Sequence, residues 1–235
     1  MDLYPLFNSI RIALISTAVV LVFGVAAAYL VVRLPRFLKG VLDSLFTLPL
    51  VLPPTVVGYL LILLLGPKRP VGAWFLEVFG VKLTMNWWSA VFATTVIIFP
   101  LMYRTSRGAF EAFDRTYEQA GQTLGLGRAF IFFRIILPCC KAGIIAGVVL
   151  SFARALGEYG ATMMISGYTP GRTATISTTV YQMWRTDNEA LAAQWVLINI
   201  AISTVVLLAI NIAEGKQKDI TKKEHSLCAW ITGKL

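Results

Sequence analysis

The sequence predicts an all-α integral membrane protein with five spanning helices and an amphipathic helix between the third and the fourth. Three observations lead there. Hydrophobic residues make up 57% of the 235-residue chain and charged residues only 14%, against roughly a quarter charged in soluble domains, so the polar shell of a water-exposed fold is missing. Uncharged stretches of about 20 residues, the length that crosses a ~30 Å hydrocarbon core, recur along a chain whose mean hydropathy is +0.72. Basic residues collect in alternate connecting segments, which is how a multi-span protein encodes its orientation. The net charge of +9 therefore belongs with loops and lipid head groups, and no nucleic acid partner is expected.

The first span covers about residues 9–33, built on the uncharged run Ile12–Val32. No small-residue cleavage site follows a short apolar core there, so this segment is expected to stay in the mature chain. The second span, about 41–65, contains Pro49, Pro53 and Pro54; these remove backbone donors and must bend or break the helix. The third, about 83–105, and the fifth, about 189–213, hold the uncharged runs Leu83–Tyr103 and Ala190–Ala213. The fourth, about 135–165, is interrupted by Lys141, Arg154 and Glu158, charges that are costly in lipid and direct the helix toward protein or water. Gly167–Asn188 is too polar to cross; Tyr168-Thr169-Pro170-Gly171 reads as a turn and Thr173–Trp184 as a short surface helix. No linker or repeat divides the chain, so residues 1–235 are expected to form one membrane domain.

Orientation follows from charge. Fourteen of the 21 basic residues, from Arg33, Arg36 and Lys39 through Arg104–Lys141 to the tail 214–235, fall on one face, and five fall opposite. The positive-inside rule makes the richer face cytoplasmic, with the N-terminus outside and the C-terminus inside. Trp74, Trp87, Trp88, Trp184 and Trp195 gather near the expected outer interface, where amphipathic rings favour the head-group layer.

The cytoplasmic loop, about 106–134, carries Phe110, Phe113, Tyr117, Ala120 and Leu124 at three- and four-residue steps with Glu111, Asp114, Glu118 and Gln122 between them. That is an amphipathic helix, ended by Gly125-Leu126-Gly127. A helix lying on lipid usually has a basic polar face, whereas this one is mainly acidic, which favours a protein partner. Catalytic chemistry is missing. There is no phosphate-binding G-x-x-x-x-G-K-[ST] loop, the one histidine, His225, lies in the tail, and Cys139, Cys140 and Cys228 have neither metal-ligand nor disulfide spacing. No ATPase, metal or cofactor site is expected in this chain, and transport is the remaining broad reading.

At this point the residues resemble the cytoplasmic loop of ABC-importer permeases, whose pattern is Glu-Ala-Ala, three residues, Gly, nine residues, then Ile-x-Leu-Pro. Gln119-Ala120-Gly121, Gly125 and Ile135-Ile136-Leu137-Pro138 fall in its register, with Glu118 one place before the usual glutamate. Three further stretches look like the molybdate branch: Leu48-Pro49-Leu50-Val51-Leu52-Pro53-Pro54-Thr55-Val56-Val57-Gly58-Tyr59, Phe152-Ala153-Arg154-Ala155-Leu156-Gly157-Glu158-Tyr159-Gly160-Ala161-Thr162, and Pro170-Gly171-Arg172-Thr173. Sulfate permeases are similar in the loop and in a Gly-Glu motif; the proline-rich stretch tips the resemblance toward molybdate, with tungstate as a possible companion.

The resemblance implies a type I ABC-importer permease fold in the cytoplasmic membrane of a bacterium or archaeon. It implies a homodimer that docks two ATPase subunits, which carry the ATP and Mg, and that receives oxyanion from an extracytoplasmic binding protein. From the residues themselves, five helices are too few to enclose a polar pathway and a two-fold dimer would form one along its axis. Arg154 and Glu158, four apart, are expected on one helical face as a gate or a packing ion pair. The broken backbone at Pro49, Pro53 and Pro54 is either a packing kink or pathway lining, and Thr47, Thr55 and Ser44 offer hydroxyl donors to a passing oxyanion. A gradient-driven carrier is the competing class; it would need a coupling carboxylate, for which only Asp43 and Glu158 are available.

Overall fold

The computed structural model describes residues 2–208. The basic tail 214–235, with His225 and Cys228, and the end of the fifth expected span lie outside the described residues. Prolines punctuate the first half of the chain. Helix α1 (Tyr4–Val32) opens with Pro5 in its first turn, where the absent donor is not missed. Pro35 then sets an extended backbone before α2 (Arg36–Val51). Leu52 and Pro53 are also extended, and α3 (Pro54–Leu65) starts on Pro54. The expected kink of the second span is thus a full break, with α2 and α3 bent by 112°. Pro49 stays inside α2, so Pro53 and Pro54 make the interruption. A short helix not foreseen in the sequence, α4 (Pro70–Phe79), ends in left-handed Gly80.

Helix α5 (Trp87–Glu111) begins at a reciprocal cap between Asn86 and Ser89 and at 25 residues is about 37 Å long. It absorbs Phe110, which the sequence pattern assigns to the loop helix. That helix is shorter than expected, α6 (Arg115–Thr123), because Asp114 caps it afresh by accepting the Thr116 N–H at 2.9 Å. The expected fourth span is fragmented. Together with the end of the expected loop before it, the stretch comprises α7 (Arg128–Ile131), a π-helical turn at Phe132–Ile136, α8 (Leu137–Cys139), α9 (Lys141–Leu156) and α10 (Gly160–Ser166). Pro138 lacks an N–H and its ring would strike the carbonyl four residues earlier, so the ladder slips there to the wider π repeat; at Cys140 the chain then bends by 70°. Helix α11 (Ile176–Arg185) replaces the expected surface helix, and its first turn is buried, with Thr178 inaccessible. A final helix α12, Glu189–Leu208, follows.

Helices α1 and α12 are unbroken and long and apolar enough to cross a membrane, and the two bent pairs add one crossing each if each is one span. Helix α5 has the length to be the fifth. Residues up to Val196 form one compact unit, and a second begins at Leu197 within α12. In the first unit α5 is central, packed on α1, α2, α9 and α10. Water is no driving force inside lipid, so close backbone approach through small residues must hold helices together. A side chain at Gly24 would meet Met102 at 2.8 Å, one at Gly143 would meet Ala109 at 2.6 Å, and one at Gly147 would meet the Thr105 hydroxyl at 2.3 Å. Gly143 and Gly147 are one turn apart on α9, so that helix lies against α5 along a glycine face.

The two ends of the unit differ. At one end, Arg11 stacks 3.9 Å over Trp87, which stacks on Trp88 at 4.0 Å. There the first turns of α1 hold the loop before α11: Asn8 donates to the Ala174 carbonyl at 2.9 Å, Tyr4 to Arg172 at 2.6 Å, and Ser9 accepts from the Ile176 N–H at 2.9 Å. Trp195, expected at an interface, is instead buried. At the other end lie Arg33, Lys39, Arg107 and the loop helix.

Gly147→Leu, which must displace both Thr105 and the Met102 sulfur 2.9 Å away, is expected to part α9 from α5 and abolish recovery of folded protein in mild detergent. Gly157→Ala, with open space around it, is expected to leave the elution profile on size-exclusion chromatography unchanged.

Candidate docking surface and interrupted helices

Two regions collect the residues singled out in the sequence. The first is the basic end. Arg33, at the end of α1, lies 4.1 Å over the Tyr29 ring and donates to Glu118 of α6 at 2.6 Å. Lys39 of α2 pairs with Glu111 of α5, and Arg107 pairs with Asp43 of α2 while reaching Glu111 at 3.1 Å. The Lys39 ammonium, and after it the Arg107 guanidinium, hold the Glu111 carboxyl below its usual range despite burial. A depressed carboxylate contributes stability that is full above its ordinary value of 4.5 and is lost as pH falls below it. These pairs tie α6 to α1 and α2 to α5. Glu118, the acidic residue nearest the family's usual glutamate, is thus spent inside its own chain.

Helix α6 ends in a full Schellman motif. The Gly125 N–H bonds the Gln122 carbonyl at 2.9 Å and the Leu126 N–H bonds the Gly121 carbonyl at 3.1 Å, which requires the left-handed φ of +75° found at Gly125. Gly121 is buried, and a side chain there would touch Ile131 at 3.2 Å and Ile135 at 3.4 Å, so α6 rests on Ile131 and on Ile135, the first residue of the Ile135-Ile136-Leu137-Pro138 segment. Gln119, Ala120 and Gly125 are exposed. Large apolar side chains stand out beside them: Tyr117 is 61% and Leu124 78% exposed. Gln119, Ala120 and Gly125 therefore stand with Tyr117 and Leu124 on the exposed side of α6, while Gly121 and Ile135 lie beneath it.

The second region is where the interrupted helices meet. A side chain at Gly58 of α3 would touch Ala161 of α10 at 2.9 Å, and one at Gly160 would touch Pro54 at 3.0 Å and the Thr55 nitrogen at 3.1 Å. The break at Pro53-Pro54-Thr55 thus packs on the break at Gly157-Glu158-Tyr159; the sequence showed the first of these breaks, but neither the second nor their contact. Helix α9 ends at Leu156, so Arg154 and Glu158 do not share one helical face as expected. They still pair, Arg154 Nη1 to Glu158 Oε2 at 2.8 Å, with the Glu158 side chain 2% and the Arg154 side chain 37% exposed. That approach is an ion contact off the hydrogen-bonding direction, since Oε2 makes no hydrogen bond. Oε1 accepts the Ala161 N–H at 2.9 Å, so Glu158 caps the first turn of α10. The hydroxyls expected for an oxyanion are mostly spent: Thr47 donates to the Asp43 carbonyl at 2.7 Å and Ser44 to Gly40 at 3.0 Å. Thr55 is exposed at the start of α3.

Comparison with known proteins agrees with this architecture. Residues 20–218 match the family described as binding-protein-dependent transport system inner membrane component. The chain is 43% identical over 201 residues to the molybdenum transport system permease protein ModB of Escherichia coli K12, covering 85% of this chain and 88% of that one. It is 37% identical over 207 residues to the putative molybdenum transport system permease protein YvgM of Bacillus subtilis, covering 88% and 91%. Among solved structures, the MetNI methionine ABC transporter superposes with a TM-score of 0.70 at 12% identity over 90% of this chain and 94% of that one. A bacterial alginate ABC importer gives 0.67 at 19%, over 89% and 79%.

Because Glu158 is buried and Arg154 is not, Arg154→Ala is expected to destabilise more than Glu158→Ala. The first leaves a buried carboxylate unpaired, a loss on the order of 3–5 kcal/mol; the second leaves an arginine that can reach solvent and an uncapped turn, about 1 kcal/mol. Thermal unfolding of both single variants and the double variant in detergent measures the order and the coupling. At the basic end, Gly125→Val is expected to cost about 1–2 kcal/mol through its left-handed backbone and to lower uptake with membrane insertion intact, read by transport assay and membrane immunoblot.

Proposed function

The chain belongs to the binding-protein-dependent transport system inner membrane component family, and we propose that it is the permease subunit of an ATP-driven importer whose substrate is molybdate. The 43% identity to a molybdenum transport permease over 201 residues carries the substrate; sulfate, which the shared loop and Gly-Glu motif left open, is not favoured by the relatives. In this reading the basic end is cytoplasmic and the tryptophan-rich end faces the binding protein, giving an N-terminus outside and a C-terminus inside. Two copies form the pathway about a two-fold axis, and each docks one ATPase subunit through α6, Gly125 and the Ile135–Pro138 segment. ATP and Mg reside on that partner. The whole chain acts as one permease domain.

The mechanism follows from the two regions. ATP binding draws the docked loops together, α6 passes the motion to α1 through Arg33–Glu118 and to α5 through the short connection at 112–114, and the two packed breaks shift against each other to switch access. Each carboxylate a gradient-driven carrier would need is already paired, Asp43 with Arg107 and Glu158 with Arg154, which supports ATP over a proton gradient as the energy source. Thr55 and the edge of Arg154 offer the oxyanion passing contacts, and selectivity rests on the binding protein.

Two measurements test this. In proteoliposomes, ATPase activity of the assembled complex is expected to rise with molybdate-loaded binding protein and not with sulfate-loaded protein; equal stimulation by sulfate, or uptake sustained by a proton gradient without ATP, overturns the reading. Titration calorimetry of permease with ATPase subunit alone is expected to give molybdate binding no tighter than about millimolar, ~−4 kcal/mol, because only weak donors are free.

A further inference from the structure

The charges left over at the basic end are all of one sign. Over 33–43 and 104–141 the sequence has nine cations and four carboxylates. Asp43, Glu111 and Glu118 are each consumed by a cation of the same chain, and Asp114 is the cap of α6. Arg115, Arg128 and Arg134 make no ion pair among the described residues and are exposed. They open α6, open α7 and lie in the π turn, three segments that pack on one another. Arg115 also lines, with Arg33, Glu118, Phe110, Phe113 and Tyr29, a cavity of about 190 Å³. The sequence pattern made the polar face of the loop helix mainly acidic; once the internal pairs are drawn, the free charge of this end is positive.

Between these arginines stands an apolar stripe one helical face wide, Tyr117, Ala120 and Leu124, flanked by the exposed neutral groups Gln119, Gln122 and Thr123. A helix that lies on lipid needs a broad apolar face, but α6 has nine residues and its other face is closed against Ile131 and Ile135. A narrow stripe with neutral polar flanks and an arginine rim has the composition of a protein interface, where Arg and Tyr are enriched and charge fixes register.

We infer that this surface binds an apolar groove edged with aspartate and glutamate on the ATPase subunit, with Arg115, Arg128 and Arg134 supplying the charge contacts and Glu118 serving only as an internal strut to Arg33. The inference rests on the docking reading given under Proposed function and sets the sign of the contact. Across the interface the attraction is between exposed charges, so it is screened by salt.

The test is retention of the ATPase subunit by full-length permease immobilised in nanodiscs of zwitterionic lipid. Retention by the unaltered permease is expected to weaken steadily as salt is raised from about 50 to about 500 mM. Arg115→Glu with Arg128→Glu is expected to reduce retention at low salt by about tenfold or more through like-charge repulsion, while lysine at both positions preserves it. Glu118→Gln is expected to stay within about twofold, the scale of an exposed pair. Retention indifferent to salt and to the reversals, or lost in Glu118→Gln while the reversals are harmless, overturns the inference. So does a defect confined to discs of anionic lipid, which would assign the arginines to head groups. Should the reversed variants not fold, the salt series on the unaltered protein still decides. Failure of the unaltered permease to retain any ATPase subunit at all would instead remove the docking reading itself.

Discussion

An unbonded backbone N–H or C=O in hydrocarbon costs several kcal/mol, and there is no water to relieve it. This constraint governs where the interrupted helices can lie. Pro53 and Pro54 end one ladder and Gly157 ends another, so each break exposes polar backbone within a long apolar stretch. The fold places them against one another, Gly160 on Pro54 and Thr55, and lends the second break a buried carboxylate to cap it. Glycine at 58 and 160 is the condition for that closure, since any side chain would hold the two breaks apart. Helix α5 packs on both partners of this joint, α3 and α10, and on α1.

Charge pairing does at the basic end what backbone pairing does at the breaks. Each of Arg33, Lys39 and Arg107 reaches a different helix from its own, so the pairs tie α6 to the end of α1 and α2 to α5. Exposed pairs contribute little stability singly, but a linked set fixes relative position. Their second effect is subtraction: by consuming nearly all the carboxylate they leave an arginine-rich face.

Much of this was legible in the residues. Span positions followed from uncharged runs, breaks from paired prolines, and the loop motif from the Gly125-to-Pro138 spacing. What escaped depended on contacts distant in sequence. The periodicity Phe110–Leu124 read as one helix because Asp114, a polar residue on the polar face, looked like surface when it was a cap. Arg154 and Glu158 read as one helical face because Gly157 inside an apolar stretch carries no sign of whether it ends the helix. Glu118 looked available to a partner because Arg33 is 85 positions away. Helix α4 was missed because ten residues, apolar but for Glu77, are too few to signal a span.

The glycine face of α9 has a mechanical consequence. With Gly143 and Gly147 seated on Ala109 and Thr105 there is no side-chain cushion between the two helices, so the end of α5 that carries Arg107 and Glu111 is held to α9 as one piece. Pro100 removes a backbone hydrogen bond further along α5, so the helix has a built-in place to bend between that piece and its tryptophan end.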